Sequence, residues 1–337
     1  MSAPAEAPLD GEGLEPRLTW IYGSPRTGST WLLELLCHPL VLNLDPASEL
    51  GFTWPEDLAE PAAALPIDGL QISAHLAPAV FGHSVDTEVM EEKGTLLPRT
   101  LNRQAGDRGT YALSPSYADV WRPAARDLVL ARLGAVVSRA QDAGLPLPPN
   151  PPQLVIKEVD DSHAADVVLS LFPRSRMIFL VRDGRDVLDS LLDANRPSGW
   201  LSKVGWGTGE FASGDARMEW IARHCRNWVA RVNACSAAYE DHDPKLRRMV
   251  RYEDLRADTE PQLAELAAWL GLGAAPERVQ AVAAAHSFEA LPDYGKGPGM
   301  FRRKATPGGW REGLTDGEQQ LAQEIMGEAL GRLGYGA

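Results

Sequence analysis

Cysteine is scarce in this sequence: Cys37, Cys225 and Cys235 are the only three among 337 residues, and no CxxC pair occurs. An odd, sparse set of cysteines is typical of reduced thiols in a reducing compartment and argues against a disulfide framework. The spacing of a zinc site is also missing. We therefore expect buried, unreactive thiols, no metal and a cytoplasmic protein.

Long apolar runs and an excess of positive charge are missing too. No run approaches the roughly 18 residues that span a bilayer, and the first residues lack the basic start and apolar core of a signal peptide. The formal net charge of −13 argues against nucleic acid or an anionic membrane surface as the main partner. An anionic ligand would need a local cluster of arginine and lysine.

The order of apolar runs and helical segments along the chain predicts one α/β domain. Residues 1–17, acidic and rich in proline and alanine, predict a disordered tail before a domain spanning 18–337. Short apolar runs at 17–23, 153–157 and 176–182 are typical of parallel strands covered on both faces. Helical segments alternate with them, one of which we expect Ser162 to cap. This alternation predicts a P-loop fold with a central parallel sheet flanked by helices.

Residues 23–30, GSPRTGST, lie between a strand and an apolar helix, which is the context of a phosphate-binding loop. Glycines let consecutive backbone N–H groups and the helix N-terminus face an anion. Compared with the GxxxxGK[ST] pattern, Ser29 replaces the lysine and Arg26 supplies the positive charge. The missing lysine argues against ordinary nucleotide hydrolysis or phosphoryl transfer.

The segment PRTGSTW resembles the 5′-phosphosulfate loop of sulfotransferases that use 3′-phosphoadenosine-5′-phosphosulfate (PAPS). The arginine is typical of the carbohydrate and protein-tyrosine branches, and we expect a bacterial-type small-molecule or carbohydrate enzyme. The resemblance implies that the loop residues hold the 5′-phosphosulfate and that Trp31 stacks on the adenine. These loop residues are Arg26, Thr27, Gly28, Ser29 and Thr30.

Two further segments resemble the same family. Arg182 at a strand end and Ser190 eight residues later are similar to the family's 3′-phosphate pair, in which an arginine fork and a hydroxyl bind the phosphate. Residues 301–310, FRRKATPGGW, resemble its C-terminal basic segment, with Ala305 in place of a glycine. The resemblance implies additional nucleotide contacts from Arg303 and Lys304 with Phe301 beside them, and from Tyr252 and Phe288 near the base.

The transfer step needs a cation at the leaving oxygen and a base for the acceptor. Lys157 matches the lysine of the family's KTH segment and is assigned, with Arg26, to the sulfuryl and leaving-group oxygens. The histidine of that segment is replaced by Val159, so the base stays open. The candidates are the carboxylates Glu49, Asp45 and Glu158 and the imidazole of His163.

The leading hypothesis is therefore transfer of a sulfuryl group from PAPS, without a metal, to a hydroxyl or amine of a small molecule. An atypical P-loop kinase or NTPase is a second hypothesis, and a non-catalytic protein that binds the product nucleotide PAP is a third. The weakly patterned residues 40–120 and the glycine-rich segment 199–215 are expected to shape the acceptor side. The acceptor and the oligomeric state are not predicted.

Overall fold

A computed structural model describes residues 11–43, 49–58, 60–70, 117–147, 152–203, 207, 209–273 and 275–336. A five-stranded sheet forms its centre, in the order β4-β5-β1-β6-β7, and a separate two-stranded sheet pairs β2 with β3. The strands are β1 Leu18–Tyr22, β2 Val41–Leu42, β3 Phe52–Thr53, β4 Ala64–Ile67, β5 Gln153–Lys157, β6 Arg176–Val181 and β7 Arg247–Arg251.

Every neighbouring pair in the central sheet is parallel. The α-helices are α1 Gly11–Leu14, α2 Ser29–Cys37, α3 Ala118–Asp142, α4 Ala165–Leu171, α5 Gly184–Asn195, α6 Trp200–Lys203, α7 Gly214–Asp241, α8 Tyr252–Ala257, α9 Thr259–Leu270, α10 Pro276–Ala285, α11 Trp310–Gly313 and α12 Asp316–Arg332. The predicted α/β fold with a central parallel sheet is confirmed.

Alternate residues of the strands feed two hydrophobic layers, as the period of two in a strand requires. Trp20 and Tyr22 of β1 belong to the larger core, which includes buried residues of α3, α4, α5, α7 and α12. Ile21 faces the other way and packs in a second core with residues of α2, α9 and α10. Helices thus cover both faces of the sheet, which explains why its inner strands are continuously apolar.

The order in which successive strands are added to the sheet reverses at β1, and this reversal positions the site. β1 pairs with β5 on one side and with β6 on the other, although β5 and β6 follow each other in sequence. Ligands of open α/β sheets bind at the carboxyl ends of strands where such a reversal occurs. The loop after β1 and Arg182 after β6 therefore emerge side by side.

The structure differs from the sequence analysis in β4, in residues 11–17 and at Ser162. The sequence analysis does not predict β4, because this strand is four residues long and contains Pro66. Its position at the edge of the sheet tolerates the N–H group that proline lacks. Residues 11–17, expected in the disordered tail, form α1 and a 3₁₀ turn. Glu15 there is buried and pairs with Arg126 at 2.6 Å and with Arg174 at 3.1 Å.

Ser162 does not cap the helix that follows β5. Its hydroxyl donates to the Gly23 carbonyl at 2.6 Å and accepts from the Gly23 N–H at 3.1 Å. The side chain thus ties the start of the glycine-rich loop to the 3₁₀ turn that follows β5. All three cysteines are buried and free, as expected. Within the described residues, no helix combines the length and apolar composition needed to cross a membrane.

Candidate active site

The glycine-rich loop follows β1 and leads into α2, which begins at Ser29. Gly28 has φ 90°, a left-handed conformation that side chains disfavour. A Cβ atom at Gly28 would lie 2.7 Å from the ring of Tyr252. The close approach of this ring to the loop therefore requires glycine at position 28.

Gly28→Ala is expected to destabilise the protein and distort the loop, because it adds both a steric clash and an unfavourable φ. We expect a loss of about 1–3 kcal/mol in unfolding free energy, the range for a residue held in a strained conformation. Urea unfolding measures it. Gly271→Ala is a matched control, because Gly271 has φ 73° but open space around its Cβ. Equal losses in the two variants would contradict a role for the Tyr252 contact.

Arg26 spans the cleft from the loop to two other segments. Its Nε donates to Ser190 Oγ at 3.1 Å, and a terminal nitrogen donates to the Phe301 carbonyl at 2.6 Å. Burial, with the neighbouring charge of Arg182, lowers the pKa of Arg26 to about 10, so it stays charged at neutral pH. Its φ of 71° is unusual for a residue with a side chain, and such outliers cluster at ligand sites.

Arg182 lies at the carboxyl end of β6, beside the loop. It donates to the Arg26 carbonyl at 2.9 Å, and its guanidinium lies 4.4 Å from the centre of the Tyr252 ring. Its buried Nε has no hydrogen-bond partner among the described residues, and neither has the Nε of Arg256. Buried N–H groups are almost always paired in folded proteins. Two such donors lining one cleft fit an anionic ligand.

The basic segment after residue 300 is attached to α5. Asp186 accepts from the N–H groups of Gly308 and Trp310 at 2.7 and 3.0 Å. Arg303 pairs with Asp189 at 2.7 Å, and the Lys304 ammonium lies 3.6 Å from the same carboxylate. One acidic face of α5 thus holds the cations beside Ser190.

Ala305 has φ 47°, a left-handed conformation, at the position where the resemblance implies a glycine. A left-handed residue with a Cβ costs about 1–2 kcal/mol. Ala305→Gly is therefore expected to stabilise the protein, by up to about 1 kcal/mol once the added chain entropy of glycine is subtracted. The shift in the urea midpoint measures this change. A lower midpoint in the variant would contradict strain at Ala305.

The three motifs line one cleft, together with several residues that the sequence did not indicate. The predicted lining residues are Arg26, Gly28, Ser29, Thr30, Trp31, Arg182, Ser190, Tyr252, Phe288, Phe301, Arg303 and Lys304. Among the additional ones are Asp186, Asp189, Arg256, His286, Leu291 and Arg302. Thr27, also predicted to hold the phosphosulfate, does not line the cleft; its buried hydroxyl donates to the Ser24 carbonyl at 2.8 Å and closes the loop.

Aromatic side chains form one wall of the cleft, beside the glycine-rich loop. The rings of Trp31 and Tyr252 meet edge to face with centroids 6.0 Å apart. The indole N–H of Trp31 donates to the His286 carbonyl at 2.8 Å, which fixes its orientation. Phe288 also lines this part of the cleft. Flat apolar surfaces of this kind can bind a planar base by stacking.

Lys157 contacts the loop from the end of β5. Its ammonium donates to Thr30 Oγ1 at 3.3 Å and forms an ion pair with Asp68. It does not itself line the cleft. Its hydrogen bond to Thr30, which does line the cleft, holds a positive charge next to the loop.

The cleft lining includes none of the base candidates in the described residues. The buried Glu158 accepts from the Leu70 N–H at 2.7 Å, and Glu49 is exposed. His163 lies 3.5 Å from Asp161, and burial lowers its pKa to about 4. Asp45 lies outside the described residues. Glu49, Glu158 and His163 thus lie outside the cleft lining, and the identity of the base stays a prediction.

The structure is thus an α/β protein with a basic cleft at the loop after β1, and comparisons with known proteins identify the family. The sequence model of the Sulfotransferase family matches residues 19–276. The chain therefore belongs to the sulfotransferase family, as the resemblance of its motifs implied.

The individual proteins that resemble this chain share low sequence identity with it. Mouse carbohydrate sulfotransferase 5 is 32% identical over 173 residues, which cover 48% of this chain and 41% of that protein. The match thus spans about two fifths of the length of this curated relative. The crystal structure of mouse sulfotransferase SULT7A1 complexed with PAP has a TM-score of 0.50 at 12% identity, covering 95% of this chain and 88% of that one. Retinol dehydratase, solved with retinol and PAP, has a TM-score of 0.47 at 16% identity, covering 94% and 81%.

Proposed function

We propose that the protein transfers the sulfuryl group of PAPS to a hydroxyl or amine of a small molecule, and releases PAP. The observation that carries the proposal is the meeting of three separated basic motifs in one cleft of a protein whose net charge is −13. The attraction for an anionic nucleotide is local, because the body of the protein is acidic. Membership of the sulfotransferase family supports this choice over other anionic nucleotides.

The cleft offers a separate group for each end of the nucleotide. In our proposal the 3′-phosphate is bound by Arg182, Ser190 and Arg303, where a guanidinium fork and a hydroxyl suit its oxygens. The unpaired Nε of Arg182 would gain its missing partner. The backbone N–H groups of residues 28–30 and the N-terminus of α2 would face the 5′-phosphosulfate. The aromatic wall would hold the adenine.

The transfer itself is a displacement at sulfur. The acceptor oxygen or nitrogen forms a bond to sulfur and gives up its proton to a general base, while the bond from sulfur to the 5′-phosphate oxygen breaks and its electron pair leaves with PAP. Negative charge grows on that leaving oxygen. In our proposal Arg26 of the loop and Lys157, which donates to Thr30, stabilise this charge and so lower the barrier.

A thermal-shift comparison of PAP, PAPS and ATP with Mg²⁺ tests the proposal. PAP without Mg²⁺ is expected to raise the melting temperature, because ligands that bind only the folded state stabilise it. A response to ATP with Mg²⁺ alone would instead favour a kinase or NTPase. Labelled PAPS then separates an enzyme, which transfers the label to an acceptor, from a non-catalytic PAP-binding protein.

A further inference from the structure

Arg256 lines the cleft, although none of the three basic motifs contains it. It lies one helical turn after Tyr252 on α8, so the two side chains share one face of that helix. Burial raises the pKa of the Tyr252 hydroxyl, and the nearby charges of Arg182 and Arg256 oppose this rise. Arg256 thus adds a guanidinium to the cleft on the side of the Tyr252 ring.

The guanidinium of Arg256 is only partly used within the protein. One terminal nitrogen donates to the Glu289 carboxylate at 2.7 Å, and this is its only hydrogen bond to the residues that the structure describes. The buried Nε has no partner among them. The side chain is 28% exposed. Because buried N–H groups are almost always paired, the unused donors indicate a group on the ligand that enters the cleft.

The ion pair with Glu289 holds Arg256 at the aromatic end of the cleft. Glu289 directly follows Phe288, which forms the aromatic wall together with Trp31 and Tyr252. The groups proposed for the 3′-phosphate are held elsewhere, by α5 and by the end of β6. Arg256 therefore lies where the proposed site has the base of the nucleotide.

Charge also favours a contact to the base over a contact to a phosphate. The Glu289 carboxylate already offsets the positive charge of the Arg256 guanidinium. A phosphate on the same guanidinium would lie close to that carboxylate, and like charges at short distance repel each other. A neutral ring nitrogen meets no such repulsion.

The donors of an arginine limit what it can bind on a purine. A guanidinium has five N–H donors and no acceptor. On the edge of adenine that lies farthest from the ribose, N1 accepts a hydrogen bond. Hypoxanthine and guanine carry a hydrogen on N1, so a guanidinium would there face another donor, and both donors would be left without a partner. An arginine at this edge therefore selects adenine.

We propose that Arg256 donates a hydrogen bond to N1 of the base and makes the cleft selective for adenine over hypoxanthine and guanine. The inference rests on the proposed function, in which the aromatic wall binds the base of PAP. The wall supplies affinity for any planar base, and Arg256 supplies the choice among purines. The role is one of recognition, and no bond to Arg256 is made or broken.

Calorimetry with three nucleotides tests the proposal. They are PAP, its hypoxanthine analogue 3′-phosphoinosine-5′-phosphate, and adenosine 5′-phosphate, which lacks the 3′-phosphate. The wild-type protein is expected to bind PAP about 10- to 150-fold more tightly than the analogue, the value of a hydrogen bond that involves a charged group. Arg256→Met is expected to lose most of this preference, because it weakens the binding of PAP and of adenosine 5′-phosphate equally and does not weaken the binding of the analogue.

Arg256→Gln keeps a polar side chain and covers the case in which the methionine variant does not fold. The glutamine amide can donate to N1 of adenine or accept from the N1–H of hypoxanthine, so the preference should again be lost. Arg278→Met is the matched control. Arg278 pairs with Glu60 at 3.1 Å and has an exposed fraction similar to that of Arg256, but it does not line the cleft. It is expected to keep the wild-type preference.

Three results would overturn the inference while leaving PAP binding by the cleft intact. The first is equal affinity of the wild-type protein for PAP and the hypoxanthine analogue. The second is a wild-type preference in both Arg256 variants. The third is weaker binding of PAP but not of adenosine 5′-phosphate by Arg256→Met, which would assign Arg256 to the 3′-phosphate. If the wild-type protein bound no PAP, the proposed function itself would fail, and the inference with it.

Discussion

Arg182→Ala is expected to weaken PAP binding by about 1.5–3 kcal/mol, the value of a hydrogen bond to a charged group, or roughly 10- to 150-fold. Arg182 has this large effect because its Nε is buried without a partner. Its charge is therefore available to the ligand without first breaking an ion pair through that nitrogen. Isothermal titration with PAP measures the change.

Arg303→Ala is expected to act in the same direction with a smaller factor. Arg303 is already engaged by Asp189 at 2.7 Å and by Asp193 at 3.8 Å, so part of its attraction for a phosphate is offset. Arg248→Ala, which removes a guanidinium on β7 outside the cleft lining, serves as the control. Unchanged PAP affinity in both cleft variants would contradict the assignment of the cleft.

Arg26→Ala should have its largest effect on turnover. We expect kcat to fall about 10²–10³-fold, the loss found when one group that stabilises a developing charge is removed. PAP affinity should change less, because the loop N–H groups and Arg182 still face the nucleotide. Alanine is no more strained than arginine at φ 71°. A difference in kcat between Arg26→Ala and the wild-type protein therefore reports the loss of the side chain and not a change in backbone strain.

Arg26→Lys provides the matched variant. Lysine restores the positive charge but cannot reproduce both contacts of the guanidinium, to Ser190 Oγ and to the Phe301 carbonyl. We expect part of the lost turnover to return. Turnover equal to wild type in Arg26→Ala, measured with labelled PAPS at saturating concentration, would remove Arg26 from the transfer step.

Local sequence signals predicted the elements that carry the cleft. β1, β5 and β6 are buried on both faces, so their apolar runs are continuous, and the loop after β1 has an unusual composition. Parallel strands end at one edge of a sheet. The meeting of Arg26 with Arg182 was therefore foreseeable once both strands were recognised.

Features that depend on distant contacts were not predictable in this way. Ser162 has the local pattern of a helix cap, but it binds Gly23, 139 positions away in the chain. Asp186 and Asp189 repeat on one face of α5, yet nothing local shows that this face attaches the segment around Arg303.

A crystal structure with PAP tests the central claim most directly. The account predicts the 3′-phosphate within hydrogen-bonding distance of Arg182, Ser190 and Arg303, and the 5′-phosphate at the N–H groups of residues 28–30. PAP bound away from this cleft, or held there with its 3′-phosphate remote from Arg182, would contradict it.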